Sequence, residues 1–361
     1  MSKAVLKIEE GASEQVPSAK QQSPESAPPD TVLTQIVVGS LAAQAVYVAA
    51  KLGVADLLAN GPKRSDELAK ATNTDAPSLY RVLRALASYG VFAEGDNQEF
   101  ELTPTAELLR SDSPSSLRDM AIFMGEDWHW RVWGHTLYSV RTGQPAWEQV
   151  HGVEVFPYFE ANQEASRIFD QAMTSFSSLA IKGVLEVYDF SGIETLVDIA
   201  GGHGRLLTSI LEANPATKGI LFDLPHVITG ARERVAASEV AARLELATGD
   251  FFTSVPEGGD AYIMKHIIHD WDDERALTIL KNVKRAMKQG GRVLLVEGVI
   301  AGRNQPDLGK LLDVEMLVSP GGKERTADEY KELFARAGLR LTRIVPTKSP
   351  YSVLEAASSE A

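Results

Sequence analysis

Two hydrophobic periods divide the chain. In its N-terminal third apolar residues recur at helical spacing, as in Leu79, Val82, Leu83, Leu86 and Ala87, whereas from Glu194 short apolar runs alternate with amphipathic segments. The first pattern predicts an uncharged helix over Thr31–Ala50, a capped helix start at Ser65-Asp66-Glu67-Leu68, and a longer helix from Asp75-Ala76-Pro77 to Tyr89. Two short strands, Val91–Ala93 and Glu99–Leu102, follow around Glu94–Gln98, and Thr103-Pro104 starts another helix. Together these make a winged-helix pattern.

The second pattern predicts strands at Thr195–Ile199, Gly219–Asp223, Leu244–Ala247, Ala261–Lys265, Arg292–Glu297, Leu339–Ile344 and near Ser352–Ala356, with helices between them. The fold class is therefore α/β, a doubly wound parallel sheet behind a mostly helical winged-helix domain. The expected boundaries are a disordered tail over 1–30, the winged helix over 31–118, a helical connector over 119–185 and the sheet domain over 186–361. The connector is rich in rings, with ten aromatics within residues 120–170. They read equally as a wall for a flat apolar ligand or as a core joining the two halves.

Composition narrows the function. A net charge of −13 repels phosphate backbones and anionic lipid, and the acidic wing at Glu94 and Asp96 argues against DNA as the winged helix's partner. The absence of cysteine removes disulfides, thiolate metal sites and thiol nucleophiles and suits the cytoplasm. Thr31–Ala50 has the length of a membrane span, but its Thr, Gln, Ser and Ala content suits a buried helix interface better.

In doubly wound sheets, ligands sit beyond the carboxyl ends of the strands. The first strand ends in Asp198-Ile199-Ala200-Gly201-Gly202-His203-Gly204, a glycine turn that lacks the G-x-G-x-x-G spacing of a pyrophosphate loop. The second ends at Asp223, able to accept both ribose hydroxyls, and the third leads to Gly249-Asp250-Phe251, an acid and a ring suited to adenine. Three strand-end acids without a phosphate loop describe a nucleoside that is not a nucleotide, and S-adenosylmethionine (SAM) fits. The fourth strand runs into Lys265-His266-Ile267-Ile268-His269-Asp270-Trp271, the fifth delivers Glu297, and the segment Ser319–Thr326 delivers Glu324.

These motifs, with Phe222-Asp223-Leu224-Pro225-His226 and Gly321–Thr326, resemble the homodimeric small-molecule O-methyltransferases typified by plant caffeate enzymes and by bacterial enzymes acting on phenazines and aromatic polyketides. The resemblance covers about residues 31–358. It implies a winged-helix dimerisation domain ahead of a Rossmann-like SAM-dependent methyltransferase domain and a small aromatic hydroxylated substrate. By the same resemblance His269 is the general base, with Glu297 and Glu324 orienting it. Cofactor contacts fall on Asp198, Gly201, Gly202, Asp223, Leu224, Asp250, Phe251 and Lys265, and the acceptor pocket on Phe156, Phe169, Met173, Phe176, Asp270, Leu312 and Met316. Ala200 and Phe251 depart from the plant pattern, where Gly and Met are usual.

The chemistry agrees independently. A phenol with a pKa near 10 is a poor nucleophile at neutral pH unless a base takes its proton, and an imidazole oriented by a carboxylate can do so. Which acid makes that bond is open in the sequence. No metal is expected, since His266 and His269 lack a third ligand at a diagnostic spacing. Two other readings are N-methylation, decarboxylation or hydroxylation on the same scaffold, and a SAM-sensing DNA-binding regulator.

Overall fold

The computed structural model describes residues 28–359, so the tail expected over 1–30 lies almost wholly outside the described residues. Helix α1 spans Pro29–Lys51, with Pro29 and Asp30 in its first turn, where a missing N–H and a negative charge are both favourable. The chain divides into a unit ending at Ala42 and a body from Ala43. In the first unit Val32, Leu33, Ile36, Val37 and Leu41 are exposed. The expectation of a buried helix holds within one chain only at Ala49 and Ala50. By length and composition, α1 is the one helix among the described residues able to cross a membrane.

In the body, α2 (Val54–Leu57), strand β1 (Lys63–Arg64), α3 (Ser65–Thr72), α4 (Ala76–Ser88), β2 (Phe92–Glu94) and β3 (Glu99–Leu102) form the winged helix, its antiparallel sheet ordered β1-β3-β2. Asp75 caps α4 by accepting from Ser78 N at 3.0 Å, and Leu79, Leu83 and Leu86 are buried along one face. β1 is two residues long, too short to leave a periodic signal. The helix expected from Thr103-Pro104 is instead a single 3-10 turn, Ala106–Leu109, whose Ala106 N donates to Thr103 Oγ1 at 3.2 Å while that hydroxyl lies against the carbonyls of Gly90 and Val91.

The connector holds α5 (Arg118–Gly125), α6 (Asp127–Trp133), α7 (Thr136–Thr142), α8 (Ala146–His151), α9 (Val155–Ala161) and α10 (Gln163–Val187). Trp147 is fully buried, with the Trp128 and Phe159 rings 6.0 and 5.6 Å from it. For these rings the core reading holds.

The large sheet comprises β4 (Thr195–Ile199), β5 (Lys218–Asp223), β6 (Leu244–Thr248), β7 (Ala261–Lys265), β8 (Arg292–Ile300), β10 (Leu339–Pro346) and β11 (Tyr351–Ser358), in the order β10-β11-β8-β7-β4-β5-β6, with the short β9 (Arg325–Thr326) pairing β8. Helices α11 (Arg205–Ala213), α12 (Pro225–Ala236), α13 (Asp273–Ala286), α14 (Leu308–Val318) and α15 (Ala327–Arg336) connect them. Successive residues bury into opposite layers: Leu196, Ile263 and Leu294 lie in one core, and Val197, Met264 and Leu295 in the other. Burial on both faces explains why these strands read as continuous apolar runs. The all-parallel expectation needs one correction: β11 runs antiparallel to both β8 and β10. Only residues 347–350 separate β10 from β11, too few for a crossover, so the two must form a hairpin.

Candidate active site

At the carboxyl end of β7 the chain turns sharply, with half-buried His266 at φ 56°, into a 3-10 turn, Ile268–Asp270, that carries His269. Asp272 then caps α13 through the N–H groups of Glu274 and Arg275. β8 brings Glu297 beneath this turn, and the segment leading into β9 brings Glu324. His269 Nδ1 is 2.8 Å from Glu324 Oε1 and 3.5 Å from Glu297 Oε2, while Nε2 is 3.4 Å from Asp270 Oδ1. Glu297 Oε1 accepts the N–H groups of Ile267 and Ile268 at 3.0 and 2.9 Å, and Glu324 N donates to Asp313 Oδ1 at 2.9 Å.

Burial pulls the His269 pKa down, but the charges of Glu297 and Asp270 and the bond to Glu324 outweigh it and raise it to about 10. Burial pushes Glu297 up to about 7 and Asp270 to about 6, the positive imidazolium opposing both shifts. These groups titrate as one cluster. His266 stacks on His269 with ring centroids 5.6 Å apart, and burial drives its pKa well below the usual range.

The three strand-end acids lie on adjacent strands β4, β5 and just past β6. Asp198 is buried, its Oδ2 lacks a hydrogen-bond partner, and burial raises it to about 7 against the charge of Lys265. Gly201 packs on it so closely that a Cβ there would sit 2.5 Å from Asp198 Oδ2, whereas a Cβ on Gly202, at φ 59°, would meet nothing within 4 Å. Asp223 accepts Gly202 N at 2.8 Å and Leu224 N at 2.7 Å, tying the glycine turn to the end of β5. Ala200, at φ 53°, adopts a conformation that costs roughly 1 kcal/mol more for Ala than for Gly. Asp250 is exposed and accepts Phe252 N, and Phe251 packs edge-on to Trp271 at 6.0 Å. Lys265 donates to Ser177 on α10 at 2.8 Å, a contact that α10's periodicity does not signal.

The expected acceptor residues are less unified. Phe156 lies 5.9 Å from Trp271, centroid to centroid, beside the His269 turn. Phe169 stacks on Phe159 at 4.6 Å, and it and Met173 pack against the N-terminal core. Phe176 lies on α10, and its side chain is outside the described residues. Leu312 and Met316 are half-buried one turn apart on α14. Between them Glu315 forms a pair that sequence reasoning missed: His129 Nε2 is 3.0 Å from Glu315 Oε1, and Ser319 Oγ donates to the same oxygen at 2.6 Å. The partners are too far apart in the chain for spacing to reveal them.

A family model described as the O-methyltransferase domain matches residues 133–340, and one described as the O-methyltransferase dimerisation domain matches residues 34–112. The chain belongs to the O-methyltransferase family. It is 45% identical to a phenazine O-methyltransferase of Lysobacter antibioticus over 91% of this chain and 96% of that one. It is 36% identical to an 8-amino-8-demethylriboflavin N,N-dimethyltransferase of Streptomyces davaonensis over 86% and 90%. Among solved structures, an O-methyltransferase of neocarzinostatin biosynthesis in complex with SAM and 2-hydroxy-5-methyl naphthoic acid superposes with a TM-score of 0.77 at 33% identity, covering 88% of this chain and 95% of that one. Enzymes of this family use SAM as methyl donor.

Proposed function

We propose that this methyltransferase moves the methyl group of SAM to a hydroxyl of a small aromatic acceptor, with His269 as general base. The observation that carries the reading is the buried imidazole–carboxylate cluster of His269, Glu324 and Glu297 at the carboxyl edge of the sheet. An amine acceptor already has a lone pair available at neutral pH. A phenol needs its proton removed, which is the task such a cluster performs.

The residues present fit SAM. Asp198 offers a buried carboxylate oxygen without a partner, Gly202 leaves open space where a side chain would stand, and Asp223, Asp250 and Phe251 suit ribose and adenine. Gly201, Leu224 and Lys265 complete that set. When bound, SAM supplies an electrophilic methyl carbon on a sulfonium. Around it, His269, its proton affinity lowered by the sulfonium's positive charge, keeps its Nδ1–H on Glu324 and takes the acceptor's hydroxyl proton at Nε2, so the imidazolium holds that proton as the aryl ether forms. Asp270 orients the acceptor hydroxyl. Phe156, beside the His269 turn, with Leu312 and Met316 on α14, offers an apolar wall that excludes water.

The naphthoic acid complex and the phenazine relative support an aromatic acceptor. The dimerisation-domain match, together with the exposed apolar residues of α1, supports a homodimer through residues 31–118. Residues 119–185 then serve as connector and acceptor wall and 186–361 as the methyltransferase domain. A cysteine-free composition supports the cytoplasm, and the anionic wing argues against nucleic acid. The test is mass spectrometry on a panel of phenols, phenazinols and hydroxyquinones beside amine analogues. A one-methyl gain on hydroxyl acceptors is expected; methylation of the amines alone would overturn the reading in favour of N-transfer.

A further inference from the structure

We infer that Arg325 is the positioning residue that aims His269, a role resting on the reading of His269 as base. Arg325 is fully buried on β9, and its neighbour Glu324 holds the imidazole. All five guanidinium N–H groups are used. Nη1 donates to the carbonyls of Ile268 and Lys323 at 3.1 and 3.0 Å, Nη2 to the Trp271 carbonyl at 3.0 Å and to Asp273 Oδ1 at 2.8 Å, and Nε to that same oxygen at 3.1 Å.

Ile268 and Trp271 flank His269 on its 3-10 turn, so the cation closes the carbonyl end of that turn and pins it to the first turn of α13. Lys323 N donates to the His269 carbonyl at 2.8 Å, and Gly322 lies so close that a Cβ there would overlap that carbonyl. One short segment thus holds His269 by its ring through Glu324 and by its own carbonyl through Lys323, while Arg325 holds the carbonyls of Ile268 and Trp271 on either side of it. Lysine cannot substitute, because three donors on one point cannot reach three carbonyls and a carboxylate lying in different directions.

The experiment is a pH profile of kcat, with KM for SAM, in Arg325→Gln, Arg325→Lys and Asp273→Asn. Misaiming a base by about 1 Å costs on the order of 100-fold. Arg325→Gln is expected to lose 10- to 100-fold in kcat with KM for SAM unchanged. The rising limb of its profile should move to lower pH, because an imidazole that drifts from Glu324 binds its proton less tightly. Arg325→Lys should stay slow. Asp273→Asn, which leaves the guanidinium–carbonyl bonds intact, should show a smaller loss with the same direction of shift, and it carries the test if the Arg325 variants do not fold. Unchanged kcat, a loss with an unmoved profile, or full rescue by Lys would overturn the aiming role. Normal turnover in His269→Ala would instead sink the base assignment, whereas a dead His269→Ala beside a normal Arg325→Gln would remove Arg325 alone.

Discussion

Glu324 Oε1 lies 2.8 Å from His269 Nδ1, whereas Glu297, the other acid beneath the ring, stands off at 3.5 Å and spends its second oxygen on two backbone N–H groups. Only the Glu324 contact has the length of a charge-assisted hydrogen bond. The two acids therefore have separable tasks: one fixes the tautomer, the other holds the turn and contributes charge.

From that division, Glu324→Gln is expected to cost more than Glu297→Gln. An amide at 324 can present its NH₂ to Nδ1 and select the wrong tautomer, so kcat should fall by about 10- to 100-fold with KM for SAM unchanged. At 297 the amide oxygen can still accept from Ile267 and Ile268, and the loss should be smaller. Steady-state kinetics of the two variants decide the order; equal losses would mean that the ring is shared between both acids.

His269→Ala removes the proton acceptor and leaves the strand-end acids in place. Turnover should drop by on the order of 10²–10⁴, while SAM affinity by titration calorimetry stays at the wild-type value. A variant that methylates at the wild-type rate would rule out the base.

Much of this site was legible because the acids fall at strand ends, where a doubly wound sheet gathers residues far apart in sequence onto one edge. Asp198 and Asp223 needed only the strand boundaries, whereas Glu297 lies three residues before the end of β8, which runs on to Ile300. The binding partner of His269 was not legible, since both acids sit on the same edge and a difference of less than 1 Å separates them. Arg325 lies inside the Gly321–Thr326 motif and still gave no signal, because its partners are mostly backbone carbonyls, which any residue supplies. Buried pairs such as His129–Glu315 depend on how the connector packs. The reversal of β11 was readable in principle, from the four residues that precede it.

Gly201 offers a test of the cofactor edge. A methyl group there would press on Asp198 Oδ2 and on Leu221 Cδ1, each 2.5 Å from the added carbon, and neither can retreat from a packed core. Gly201→Ala should weaken SAM binding by at least tenfold, while Gly202→Ala, which meets no atom but keeps a positive φ, should weaken it less through backbone strain. Calorimetric affinities in the reverse order would contradict the loop assignment.

The exposed face of α1 predicts assembly. Ile36 and Leu41 are each 71% exposed in the single chain, an arrangement that water disfavours unless another surface covers them. Ile36→Glu with Leu41→Glu is expected to shift the enzyme from dimer to monomer in light scattering after gel filtration. A dimer that survives both charges would place the interface elsewhere.

SAM binding should also release protons. In the folded chain the His269 pKa of about 10 and the Asp198 and Glu297 values of about 7 lie above their ordinary ranges, so at neutral pH the site carries more protons than the same residues do unfolded. His269 stabilises the fold fully below about pH 6.5, and that contribution is lost as pH rises through about 10, so thermal melts of the protein without added SAM should fall across this range and His269→Asn should flatten the slope. A sulfonium cation entering the same site lowers the proton affinity of every group around it. Calorimetry near pH 7 in two buffers of different ionisation enthalpy should therefore report more protons expelled by SAM than by S-adenosylhomocysteine, whose sulfur is neutral. The excess should shrink in His269→Asn. Equal proton counts for the two ligands would show that the sulfonium does not approach this cluster, and with it the arrangement of donor methyl and base would fall.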